Sequence, residues 1–433
     1  MLVRRASASR FARHVAILTS GAAAGYALTA LAAPVLSRLF DPAQFGLLAL
    51  FTSVLSILTE GASARYGLAI VLPAEDEDAA NLLLLAGGIV LAVSAFTLLP
   101  IALGAAPLAR GLGEARLAAY LWWMPAALLA TGLAETLSFW STRRRAFPVI
   151  SISQMARSAG ASIAQVVAGL LGLGTGGLIG GRIAGEATGM LSLGWPVWRS
   201  DGRLIARAAS LTRVRALARA YADFPKFSLP QALVNAFSQS VPVFLLAYFF
   251  DARVVGLYAM AHRLLQLPSR FIGQSVRQVF LQQASEAHQK GMGLAPMAAR
   301  ATLGLVALGI VPAVAVVLLG PGLFGYVLGS EWIETGTYAR WMALWLFFGF
   351  INPPATVLTQ VLRRQHVLLA FDLVLLAGRV GALVFGGLRS SALTAVVLFS
   401  LVGAVLNAAL IAGMLLYARR TPIARTPAAT PAG

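Results

Sequence analysis

The sequence predicts an all-α integral membrane protein of about twelve transmembrane helices, set as two six-helix lobes related by a parallel repeat. Three observations carry that expectation. Hydrophobic residues make up 58% and charged residues 12% of the 433-residue chain, with a mean hydropathy of +0.79; soluble domains are nearer half apolar and about a quarter charged. Apolar windows of about 20 residues, the length that crosses a hydrocarbon core, recur along the chain. Two similar octapeptides also appear, FDPAQFGL at Phe40–Leu47 and FDARVVGL at Phe250–Leu257, 210 residues later, with Phe, Asp, Gly and Leu in register.

The spans fall in order at 14–36, 44–72, 80–103, 117–140, 147–172 and 175–198, then at 228–250, 254–282, 296–320, 336–360, 366–388 and 391–417. The first follows RRASASRFAR, and its apolar run is longer than a signal-peptide core, so it reads as a retained span. Each copy of the octapeptide sits in a short outer turn, where Asp41 or Asp251 would cap the next helix and Gly46 or Gly256 would allow close helix approach. The acids of AEDEDAAN (Ala74–Asn81) suit the positive end of the third span's dipole. In the sixth span, TGGLIGGRIAGEATG carries the small residues of tight helix contact. INPPATV, with Asn352, Pro353 and Pro354, should break or kink the tenth.

The net charge is +18 and the pI about 11.4, which in a soluble protein would point to nucleic acid. Its distribution points elsewhere. With these spans, about 21 Lys and Arg fall on the side holding both termini, against about 5 on the other, so that side is cytoplasmic. Six spans per half is an even number, so both halves enter from the same face, which is the parallel repeat of alternating-access transporters. The domains expected are a lobe over 1–198, a basic cytoplasmic connector over 199–227 that includes an amphipathic surface helix, a lobe over 228–418 and a disordered cytoplasmic tail over 419–433.

The run PVLSRLFDPAQFGLLALFTSVLSILTEGASARYGLAIVLP (Pro34–Pro73) resembles the N-terminal signature of bacterial polysaccharide-biosynthesis (O-antigen or exopolysaccharide) flippases. These share a superfamily with multidrug and toxin extrusion transporters and peptidoglycan lipid flippases. Arg65, Tyr66 and Ala69–Pro73 match the signature, whereas Gly67 stands where many such proteins carry an acid. The resemblance implies a multidrug-and-toxin-extrusion-like fold and a flippase of the inner membrane. Its cargo would be undecaprenyl-pyrophosphate-linked oligosaccharide, such as a lipopolysaccharide O-unit, moved from the cytoplasmic to the periplasmic leaflet. The partners expected are that lipid-linked oligosaccharide, membrane lipids, a coupling H+ or Na+, and a polysaccharide polymerase and glycosyltransferases, with no nucleic acid.

Charged residues at membrane depth are costly, which makes them the candidates for function. Arg263, Arg270 and Arg277 are spaced by seven; on one continuous helix they would form a ladder about 21 Å long on one face, suited to a pyrophosphate. Arg65, Arg157 and Arg379 are the other candidate substrate ligands. Glu60 and Asp372 are candidate ion-coupling carboxylates. Arg182 and Glu186, four apart, read as a structural ion pair.

Several classes are disfavoured. The chain has no cysteine, its four histidines lack metal-ligand spacing, and no metal or other cofactor is expected. No GxxxxGK loop indicates ATP hydrolysis. The outer loops are short, which argues against a polysaccharide polymerase or ligase, so the chain is expected not to be an enzyme. A multidrug cation antiporter would share the architecture, but arginines in its cavity would repel its cargo.

Overall fold

The structure, a computed structural model, describes residues 2–420 except 268, 270–272, 363 and 390, with side chains from residue 20 onward except those of 274, 275, 278 and 365. Among the described residues every regular element is helical. Eight helices are long and apolar enough to cross a membrane, or nine if the pair Ala115–Leu121 and Met124–Arg143, bent by 60°, counts as one. The chain is an all-α multi-pass membrane protein, and its helix order is compatible with twelve spans. It divides into two compact units, Met1–Gly256 and Leu257–Gly433, so α11, within the expected second lobe, falls in the first unit.

The first unit holds α1 (Leu2–Leu39), α2 (Pro42–Ala62), α3 (Tyr66–Ala69), α4 (Asp76–Phe96), α5 (Leu98–Gly111), α6 (Ala118–Leu121), α7 (Met124–Arg143), α8 (Phe147–Leu170), α9 (Gly174–Ala208), α10 (Leu211–Ala220) and α11 (Leu229–Phe249). Asp41 caps α2 as expected. Its carboxylate accepts from the Gln44 N–H at 2.8 Å, while Gln44 Oε1 accepts from the Asp41 N–H at 3.0 Å, a reciprocal capping box. The second expected span does not run unbroken to residue 72. It stops at Ala62, and Ala64 and Arg65 take left-handed backbone angles (φ 47° and 64°) before α3.

α9 packs on α8, and α8 on α1. Glycines of α9 make the first contact close: a Cβ on Gly185 would lie 2.7 Å from the Arg157 carbonyl oxygen, and one on Gly181 would lie 2.7 Å from the Gln165 nitrogen. α9 continues through the start of the expected connector to Ala208, about 52 Å at 1.5 Å per residue. The surface helix is therefore only α10, whose N-cap Ser210 accepts from the Arg213 N–H. α10 is amphipathic as expected, with Leu217 buried and packed in a core beside Tyr66, Ile70, Leu82, Trp140 and Val197.

The octapeptide repeat resolves into one contact. α12 (Ala252–Leu265) starts behind Asp251, whose carboxylate accepts from the Val254 N–H at 2.8 Å. A Cβ on Gly46 would sit 1.8 Å from the Ala252 carbonyl oxygen, and one on Gly256 would sit 1.7 Å from that of Pro42. Only glycine admits backbones this close. Both FD…GL turns thus cap a helix and press its first turn against the other's.

The second unit holds the rest of α12, α13 (Gln274–Gln289), α14 (Leu294–Leu328), α15 (Ile333–Ile351), α16 (Pro353–Val361), α17 (Gln365–Leu388) and α18 (Ala392–Arg420). α15 and α18 pack together, with α14 against α15 and α17 against α18. The core of Phe280, Ala298, Leu305, Phe350, Leu358 and Met414 lies among α13, α14, α15, α16 and α18. The most apolar windows of α14 and α17 are each only 11% buried, the exposure of helices that face lipid. The tenth span breaks where Pro353 and Pro354 stand, between α15 and α16. The tail beyond residue 420 lies outside the described residues.

Candidate functional site

Charged residues of the long helices and their breaks collect into three groups. In the first unit Arg65, at the left-handed break after α2, donates from Nη1 to Glu60 Oε2 at 2.6 Å. Its Nε is buried with no hydrogen-bond partner. Glu135 of α7 stands within electrostatic reach of both residues. Of these two carboxylates, Glu60 is the one that pairs with the guanidinium.

The second group extends the expected pair. Glu186 on α9 is 1% exposed and meets Arg182 Nη2 at 2.7 Å, as the four-residue spacing predicts, but it also meets Arg157 Nη1 of α8 at 3.6 Å. The close α8–α9 approach brings Arg157 there, with its aliphatic stem lying where a Gly189 Cβ would be, 3.0–3.4 Å away. Ser153 Oγ donates to the Gly189 carbonyl at 2.8 Å, and Gln165 Nε2 to that of Leu178 at 2.9 Å, which fixes the register. The result is an arginine–glutamate–arginine triad with a spare positive charge, the Arg157 and Arg182 side chains partly exposed but Arg182 Nε buried.

The third group is in the second unit. Arg379 of α17 lies over the rings of Trp345 (4.4 Å) and Phe399 (4.7 Å), two rings that stand perpendicular with centroids 5.7 Å apart. His262 stacks on Trp345 at 5.9 Å and on Tyr258 at 5.8 Å. No carboxylate pairs with Arg379 among the described residues. Asp372, seven residues earlier on α17, is exposed and makes no ion pair with it. Sequence spacing offered the acid as a neighbour, whereas the fold supplies aromatic rings. Nothing in the linear pattern marks Trp345, Phe399 or His262, since each comes from a different helix.

Of the expected arginine ladder, Arg263 lies on α12 and Arg277 on α13, and the stretch between them includes residues 268 and 270–272, which lie outside the described residues. Arg263 is half-buried and Arg277 exposed; Arg270 lies outside the described residues.

On the basic side, Arg143 pairs with Asp76 at 2.8 Å, Arg144 bridges Asp76 and Asp201, and Arg213 of α10 meets Asp78 at 2.5 Å. The AEDEDAAN acids are therefore ion-pair partners as well as first-turn charges, and Glu75, at the N-cap, makes no side-chain cap. Burial alone would raise the Asp201 carboxyl. Hydrogen bonds from Arg144 and Trp140, together with the Arg144 charge, outweigh it and hold that carboxyl below the ordinary carboxylate range. An open cavity of about 640 Å³ lies beside this clasp, lined by Asp76 and Arg143–Arg145. Among the described residues no cluster of His, Cys, Asp or Glu could hold a metal ion.

The sequence profile of a family described as "Polysaccharide biosynthesis protein" matches residues 35–337. No curated protein sequence matches the chain. Among solved structures, a multidrug resistance transporter of the MATE family and MOP superfamily, in its inward-facing conformation, aligns with a TM-score of 0.66 at 14% identity, over 92% of this chain and 96% of that one. The lipid II flippase MurJ, in an inward closed conformation, aligns at 0.62 and 13% identity over 92% and 86%. A MOP-superfamily transporter from Pyrococcus furiosus, whose binding pocket is described as reversed in polarity, aligns at 0.57 and 13% identity over 94% and 96%. At these identities the likeness is one of fold.

Proposed function

We propose, from the premise that the chain belongs to the polysaccharide biosynthesis protein family, that it is a flippase for undecaprenyl-pyrophosphate-linked oligosaccharide. It would carry a lipopolysaccharide O-unit or exopolysaccharide repeat from the cytoplasmic to the periplasmic leaflet of the inner membrane, with both of its own termini cytoplasmic. The observation that carries the reading is the surplus of arginine over carboxylate at membrane depth. Two guanidiniums answer Glu186, and none of the described carboxylates answers Arg379. A pyrophosphate supplies the missing negative charge and accepts the paired N–H bonds that arginine offers. A lipid-linked cargo brings such a headgroup, and MurJ, whose fold this chain shares, is itself a lipid II flippase. Arg65, Arg157 and Arg379, with Arg263, Arg270 and Arg277, are the residues proposed to contact it.

Translocation requires no covalent step, so the chain acts as a transporter and not as an enzyme. Glu60, beside Arg65, and Asp372 on α17 are the carboxylates proposed to take up a coupling H+ or Na+. A multidrug cation antiporter fits less well, because the spare arginines would raise the cost of holding a cation. Deleting the gene should abolish one surface glycan and leave drug susceptibility unchanged. An intact glycan together with a broad loss of drug resistance would overturn the proposal.

A further inference from the structure

We infer that Arg379 and the indole N–H of Trp345 form a pre-set diphosphate clamp inside the second unit, held in shape by the aromatic residues around them. The inference rests on the flippase reading and assigns part of its binding site. Arg379 sits in the corner of two perpendicular rings, 4.4 Å from Trp345 and 4.7 Å from Phe399. Trp345 is in turn backed by His262, which stacks between it and Tyr258.

Such a corner restricts the plane of the guanidinium. A planar ion against ring faces keeps its in-plane N–H groups for other partners. The other boundary is backbone: a Cβ on Gly403 would lie 2.9 Å from Arg379 Nη2 and 2.9 Å from the Trp345 Cβ, so a larger residue on α18 would crowd the fork.

Two donors in this group are buried and unanswered. Neither Arg379 Nε nor Trp345 Nε1 finds a hydrogen-bond partner among the described residues. Buried donors without acceptors are costly and uncommon, and here one is cationic. The aromatic rings offset part of the charge but offer no acceptor oxygen. An anion with several oxygens answers both donors and the charge together. A diphosphate has that form, and the restricted fork would bind it with little further ordering. A purely structural plug would satisfy packing alone and leave both donors wasted.

The test uses the purified full-length chain in nanodiscs. The affinity of undecaprenyl diphosphate incorporated in the bilayer is measured beside that of inorganic pyrophosphate added in solution. If the lipid headgroup is the ligand, the lipid binds and free pyrophosphate competes only weakly. Trp345→Phe keeps the aromatic corner and deletes one donor; it should weaken binding about tenfold while the melting temperature stays near that of the wild type. Arg379→Lys keeps the charge without the planar fork and should weaken it by at least as much. Gly403→Ala changes no donor but crowds Nη2, and should weaken binding in the same sense. If the wild type binds lipid diphosphate and all three variants bind it equally well, the clamp is overturned and the flippase reading stands. If the wild type binds neither ligand, the flippase reading fails and the clamp with it. A lowered melting temperature with unchanged affinity would assign the aromatic group to packing and overturn the clamp.

Discussion

At the scale of single residues, Glu186 governs its surroundings because two cations depend on one buried carboxylate. Glu186→Gln leaves both arginines without a counter-charge and should destabilise the protein by about 3 kcal/mol, the low end for breaking a buried pair, since both arginine side chains are partly exposed. Arg157→Gln leaves the closer Arg182 contact in place and should cost about 1 kcal/mol. Thermal unfolding of the two variants in one detergent compares them, and equal losses would contradict the triad. The sequence shows half of this arrangement. The spacing of Arg182 and Glu186 is legible as a pair on one helix, and the caps at Asp41 and Asp251 follow from turn chemistry. The arrival of Arg157 is not legible, because it depends on how deeply the glycines of α9 let α8 approach. The aromatic corner around Arg379 is hidden for the same reason: its rings come from α15 and α18.

At the scale of elements, hydropathy locates helices well and their breaks poorly. Pro353 and Pro354 declare the break between α15 and α16, because proline removes the backbone donors that a helix needs. The break at Ala64 and Arg65 has neither proline nor glycine at the two left-handed positions, and an apolar window reads straight across it. The glycines of the repeated turns are better predictors. Gly46→Ala would place a methyl 1.8 Å from the Ala252 carbonyl oxygen. Forcing those helices apart should cost about 1–3 kcal/mol. Gly88→Ala, on α4 with open space around its Cα, is the matched control and should be neutral or slightly stabilising. Equal melting temperatures for the two variants would show that the outer turns are not tightly joined.

At the scale of the whole molecule, charge asymmetry is the most legible property. Arg143 and Arg144 bind the acids at the head of α4, and Arg213 of α10 does the same, so the basic segments also fasten one face of the first unit. The topology proposed above would place 143–145 and 199–226 in the cytoplasm. The chain has no cysteine of its own, so single cysteines at Arg145 and Arg215 should stay unlabelled by an impermeant thiol reagent added to intact cells and react after lysis. Labelling of both in intact cells would refute the arrangement.

The contact between the two FD…GL turns has a symmetry of its own. The seventh residue of each octapeptide, Gly46 or Gly256, lies against the third residue of the other, Ala252 or Pro42. The pairing is reciprocal in the way that the face of a twofold dimer is self-complementary. Two similar turns therefore supply both sides of a single joint, and a side chain gained at either glycine would open the same joint.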